Sequence, residues 1–494
     1  MHGVIPRPAA FSRSAAMIAL IFLGLSPSCE SQGTLSGKRI RAVEKGLLRS
    51  VYLQGLQPEK LLLSERMAFY KVPGVGIASI DRNALEWVKA YGEQDAMTHD
   101  PLTTSLVFQA GAFGQIVAAA TVLRLAEQGV FDLDDKAGSR LRSWNFPSGF
   151  APQGDPVTLR KLLTHSAGLS DQVFPGYGPE DPLPTLDQVL DGVKPARNGP
   201  VWVGPRQSAP LKAWWSESGY AVLEKVLQDA TGKDFAVLAA EAVLGPAGMA
   251  HSTFAMIPPE TLPAASGHLR EGGIVPGRWA RYPERAAKGF WTTPADFASF
   301  LTELLNEASG RSGTILTPAG ARILLSAQVE NFGFGFFVEG RGDDINYHVW
   351  GKTQGYTCAM VVYPARGQGA VVMTNSANGD LLGEEILAAF AAAYAWPHYH
   401  PVEKPVLRLS PETYGEFAGL FEVKAGYALE VRPEDYYLVI TPSGQAPTKF
   451  FAEGQTLFYS TDPYIRIQFF RDPEGRIDSL VLWQKDFRLE ARKR

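Results

Sequence analysis

Phe108-Gln109-Ala110-Gly111-Ala112-Phe113-Gly114-Gln115 leads into a stretch, Ile116 to Gln128, whose apolar positions recur with the period of an amphipathic helix. Working outward from it, the same helical period returns at Gly219 to Ala230 and at Ala295 to Asn306. Short strand-like runs, Gly74 to Ser79 and Met360 to Tyr363 among them, alternate with such helical patterns along the domain. Helices alternating with strands describe a mixed α/β domain. That domain ends at a Pro-rich stretch, Trp396 to Pro405, which reads as a linker. Beyond it, the runs Ala428 to Val431, Tyr436 to Thr441 and Tyr464 to Phe470 are separated by turn-forming Pro, Gly, Asp and Ser, as in a small antiparallel barrel or sandwich.

The chain has 494 residues, 45% of them hydrophobic, enough for several cores and far from the composition of a disordered protein. Lys plus Arg number 47 against 51 Asp plus Glu, a net charge of −4 that lacks the basic footprint of a nucleic-acid binder. Cys29 and Cys358 are the only cysteines, so neither a disulfide framework nor a Cys-rich zinc site is available. The strand-like surroundings of Cys358 predict that it is buried. The eight histidines show no ligand spacing, His348 and the His398-Tyr399-His400 run included, so no metal and no cofactor is expected.

The N-terminus reads as an export signal. Arg7 and Arg13 precede the apolar run Ala15 to Leu25, which falls short of the roughly 20 residues needed to span a bilayer, and Ser26-Pro27-Ser28-Cys29 follows. The small residue before Cys29 resembles a bacterial lipoprotein cleavage site, which makes Cys29 a lipidation candidate. Ordinary signal cleavage is the other reading. Both place the mature chain outside the cytoplasm, in the periplasm or envelope, and any membrane attachment runs through that anchor. The predicted organisation is a signal in residues 1–29, a linker in 30–44, the α/β domain in 45–398, a second linker in 399–406 and the β-domain in 407–494.

A series of landmarks follows the opening segment in order: Leu123 to Asp135, Leu162-Leu163-Thr164-His165-Ser166-Ala167-Gly168-Leu169, Ser218-Gly219-Tyr220, Val243 to Met249, Trp291 to Asp296, Gly355-Tyr356 and Val372 to Ser376. Together they resemble the class C β-lactamase-like serine hydrolases, a family that includes penicillin-binding proteins, carboxypeptidases and esterases. The tail from Tyr414-Gly415-Glu416-Phe417 onward resembles the lipocalin-like β-domain often appended to them. The resemblance implies an antiparallel sheet flanked by helices, with an all-helical lobe, followed by the small β-domain.

It also implies three catalytic motifs, and all three are degenerate. Ser-x-x-Lys at the start of a helix puts an amine one turn from the hydroxyl it deprotonates. Here that motif falls on Ala112-Phe113-Gly114-Gln115, and Ser-x-x-Lys occurs nowhere in the chain. The Tyr-x-Asn motif becomes Trp215-Ser216-Glu217, and indole is a donor that cannot relay a proton as phenol does. The Lys-or-His-x-Gly motif becomes Val349-Trp350-Gly351. Strand alternation points His348 to the opposite face from Val349, and Lys352 is expected to border the pocket. Loss of the nucleophile in comparable enzymes costs about 10⁶ in rate. The backbone N–H groups of Ala112 and Lys352 could persist as an oxyanion hole able to bind a carbonyl or carboxylate. His165 beside Ser166 is given no catalytic role.

Three readings follow. The first is an exported, non-catalytic relative whose cleft binds a cell-wall peptide or small acyl ligand, with Trp215 and Trp350 either adding stacking surface or filling the cleft. The second is a hydrolase with relocated chemistry, using Glu217 with water or a hydroxyl of Ser216, Ser218 or Tyr356. The third is a non-enzymatic module that meets an envelope protein partner through its β-domain or anchor.

Overall fold

The computed structural model describes residues 27–147, 157–170, 172–204, 215–485 and 487–494, with side chains described from residue 35 onward. The export-signal reading falls on residues outside these as far as Ser26, and the side chain of Cys29 lies outside them too.

A six-stranded sheet runs in the order Ala84–Gly92, Gly74–Asp81, Gln368–Thr374, Tyr356–Tyr363, Asn346–Thr353, Phe337–Glu339, each strand antiparallel to its neighbours. Every residue of Tyr356–Tyr363 is buried, which requires cover on both faces. Alternation divides the strand between two cores: Cys358, Met360 and Val362 face one, Ala359, Val361 and Tyr363 the other. Helices Phe113–Glu127 and Pro294–Ala308 contribute to the first core. Leu63–Tyr70 and Gly379–Tyr394 build the second. Pro294 stands in the first turn, and the Thr293 hydroxyl accepts from the Asp296 amide at 3.1 Å. This is why Trp291 to Asp296 marks a helix start so legibly.

Helix Phe113–Glu127 differs from the amphipathic expectation. Twelve of its 15 residues are buried, because a helical lobe made of Leu159–Leu163, Glu217–Thr231, Phe235–Ala239 and Arg285–Lys288 covers the side turned away from the sheet. The antiparallel sheet, its flanking helices and the helical lobe match the fold class read from the sequence.

The β-domain is a closed barrel rather than a sandwich. Its eight strands run from Gly419–Lys424 to Phe487–Lys493, each pairing antiparallel with the next, and the last returns to the first through Phe421↔Lys493. Closure removes free edges. Phe417, Phe421, Phe458, Phe469, Ile467 and Leu480 fill the interior.

Neither predicted linker is a free tether. Residues 30–44 lie in the helix Pro27–Lys45, whose Ile40 and Val43 pack on the second core. Within 399–406, Val402–Lys404 pairs in parallel with Val51–Leu53. A buried ion cluster adds to this stitching. Arg66, 5% exposed, donates to both oxygens of Glu385 at 2.8 and 2.6 Å and to Asp462 of the barrel at 2.7 Å. No helix among the described residues is long and apolar enough to cross a membrane.

Candidate functional site

A cavity of about 600 Å³ opens where the helical lobe, the edge of strand Asn346–Thr353 and a hairpin of the barrel meet. The first three residues of that strand pair with Phe337–Glu339. From Val349 onward the same edge approaches the turn Ala110–Ala112, and two glycines make the approach possible. A Cβ on Gly351 would lie 2.1 Å from the Ala110 carbonyl oxygen. Gly111 sits at φ +53°, where its own Cβ would lie 3.0 Å from the Lys352 nitrogen. The main chains of Ala112 and Lys352, predicted from sequence as a residual oxyanion hole, are thereby brought to one place beside the cavity.

The motif positions present an unreactive surface. Ala112, the N-cap of its helix, turns a methyl group toward the cavity. Gln115 is fully buried, and its amide donates to the Ala287 carbonyl at 3.4 Å. Val349 is 1% exposed and belongs to the main core.

Trp215 stands in a ladder of stacked rings. It lies 4.4 Å from His165 on one side and 5.8 Å from Phe337 on the other, with Phe337 in turn 5.5 Å from His348. Phe337 and His348 are direct cross-strand partners, so they share a face. Each stacked pair contributes about 0.5–1.5 kcal/mol beyond burial, which fixes the Trp215 indole as a wall of an open cleft. Trp350 also lines the cavity, half-buried and held from two sides. The Lys485 ammonium lies 4.7 Å over its ring, and Gly383 of helix Gly379–Tyr394 backs it so closely that a Cβ there would meet the ring at 2.9 Å.

His165 is 3% exposed and accepts from the Ser216 amide at 3.2 Å through Nδ1. Burial lowers its pKa to about 4, so the imidazole is neutral at physiological pH. Its geometry is that of a support for Trp215. The alternative hydroxyls are also buried. Ser216 donates to the Ser170 carbonyl at 3.2 Å, Ser218 is fully buried, and the buried Tyr356 donates to the Ala265 carbonyl at 2.6 Å.

Charge in the cleft is organised as three lysine–carboxylate pairs. Lys288 lies 3.2 Å from Glu217, Lys352 3.5 Å from Asp380, and Lys485 2.9 Å from Glu384. Sequence reasoning reached Glu217 and Lys352 but missed Lys288, Phe337, Asp380, Glu384 and Lys485. Lys288 sits between two landmarks with no motif of its own, and Lys485 belongs to the other domain. Only the fold brings them in.

Comparison with known proteins agrees with this architecture. Penicillin-binding protein 4* of Bacillus subtilis (strain 168) is 22% identical over 434 residues, covering 81% of this chain and 91% of that protein. Esterase EstB of Burkholderia gladioli is 24% identical over 353 residues, covering 62% and 87%. The octameric penicillin-binding protein homologue from Pyrococcus abyssi superposes with a TM-score of 0.58 at 19% identity, over 87% of this chain and 98% of that one. The family described as Beta-lactamase matches residues 60–393. That match covers more than half of the sequence, and with it the chain belongs to the Beta-lactamase family of penicillin-binding-protein-like serine hydrolases.

Proposed function

We propose that this protein is an exported, non-catalytic member of its family whose cleft binds a small acyl compound or a cell-wall peptide without attacking it. The observation that carries the reading is an open cavity of about 600 Å³ with a methyl group at position 112. The Ser216, Ser218 and Tyr356 hydroxyls nearest in the chain to the other motifs are buried, and those of Ser216 and Tyr356 donate to main-chain carbonyls. Glu217 is engaged in an ion pair with Lys288 at 3.2 Å. The Trp215 wall and the backbone N–H groups of Ala112 and Lys352 support binding of a carbonyl or carboxylate compound. Relatives named penicillin-binding proteins support the ligand class. Export, with or without a lipid on Cys29, rests on the N-terminal sequence.

The test is calorimetric titration with an N-acylated D-Ala-D-Ala dipeptide, with release of D-alanine followed in the same samples. Saturable binding without release is expected, and Trp215→Ala should weaken it. Sustained release abolished by Glu217→Gln would instead establish relocated hydrolysis. No saturable binding would refute the ligand-binding reading.

A further inference from the structure

We propose that the C-terminal barrel completes the binding cleft, and that Lys485, on its last hairpin, holds an anionic group of the ligand, a carboxylate in the class considered above. The inference rests on the ligand-binding reading and adds which domain reads the ligand and what chemistry it reads.

Lys485 follows the strand Ile477–Gln484 directly and precedes Phe487–Lys493, so it is carried on the turn between the last two barrel strands. Its side chain crosses to the other domain and lines the cavity. There the ammonium is pinned twice, by Glu384 at 2.9 Å and over the Trp350 ring at 4.7 Å. A lysine already ordered in this way loses little further freedom on accepting another partner, and an ammonium has three donors, of which Glu384 takes one. Glu384 is itself occupied, since its second oxygen accepts from the Ser50 hydroxyl at 3.0 Å.

Lys352 approaches from the α/β domain at the same end of the cavity, its Nζ 3.5 Å from Asp380. The Lys352 side chain is 41% exposed while Asp380 is withdrawn at 9%, and the other Asp380 oxygen accepts from the Leu381 amide at 3.0 Å. Asp380 and Glu384 lie one turn apart on helix Gly379–Tyr394, behind the two ammonium groups. The barrel end of the cleft therefore presents two lysines from two domains, with their counter-ions set into the wall. This suits an anion that shares both.

The interdomain geometry is fixed enough to place that turn. Arg66, paired with Glu385 in its own domain, binds Asp462 across the same boundary, and Lys404 binds Glu453 of the barrel at 2.6 Å.

The test titrates the intact protein with two probes, an N-acylated D-Ala-D-Ala dipeptide carrying a free carboxylate and the same compound as its C-terminal amide. The wild type should bind the acid about tenfold more tightly than the amide. Lys485→Gln should remove that preference while leaving the amide affinity within about twofold, which shows the cleft to be intact, and Lys485→Arg should retain most of it. Equal binding of acid and amide by the wild type, or an unchanged preference in Lys485→Gln, overturns the proposal while the ligand-binding reading stands. Failure of the wild type to bind either probe overturns that reading, and the proposal with it.

Discussion

Replacing Glu284 by Gln should change how stability depends on pH. Glu284 is 1% exposed at the start of helix Arg285–Lys288, and neither of its carboxyl oxygens finds a hydrogen-bond partner in another of the described residues. Burial, reinforced by Glu224 and Glu217 and opposed by Lys288, pushes its pKa from 4.5 up to about 8. The folded state therefore holds a proton that the unfolded state has lost. Stability contributed by this group is full below pH 4.5, falls by about 1.4 kcal/mol per pH unit as the pH rises, and levels off above pH 8. Over the whole window this amounts to about 5 kcal/mol. A glutamine does not titrate, and its unpartnered amide makes the variant equal to the wild type or about 1–2 kcal/mol less stable at pH 5. The difference should then swing by about 4 kcal/mol in favour of the variant by pH 8.5. Denaturant midpoints measured from pH 5 to pH 8.5 read this directly. Titrating groups that do not face Glu284 are present in both proteins and largely cancel. Parallel stability curves would refute the assignment of Glu284 as a buried neutral acid.

Three further outcomes follow from the packing. Arg66→Met leaves Glu385 and Asp462 without their shared cation and should cost about 3–5 kcal/mol, with the barrel and the α/β domain melting in separate steps by calorimetry; one unchanged transition contradicts the clamp. Gly351→Ala drives a Cβ toward the Ala110 carbonyl and should destabilise the protein by about 1–3 kcal/mol while abolishing ligand binding; unchanged affinity shows that the strand and turn need not touch. Ala112→Ser combined with Gln115→Lys should restore no turnover of an activated ester. Position 115 is buried against the Ala287 carbonyl, where an amine is desolvated, and Trp215 and Val349 remain unsuited to the chemistry.

The sequence made the α/β domain legible where local signals and landmarks coincide. Thr293 and Pro294 cap a helix by chemistry that does not depend on distant residues, and the apolar run Tyr356–Tyr363 is buried because both faces are covered. Closure of the barrel was not legible, because it depends on Phe421 meeting Lys493, a pairing no local pattern encodes. Residues 30–44 read as a linker because, among the described side chains there, Ile40 and Val43 are the apolar ones that pack on the core. In the site, the degenerate positions could be named from motif spacing. The Trp215–Phe337 stack and the lysines at 288 and 485 could not, since tertiary contacts alone bring them to the cleft.

Intact-mass spectrometry reads whether the cleft, shaped like a serine hydrolase site, lacks a nucleophile. The folded protein is exposed in turn to a penicillin, an activated ester and a fluorophosphonate. An unchanged mass is expected with every reagent. A stoichiometric adduct that peptide mapping places within the cleft would contradict it and identify the nucleophile.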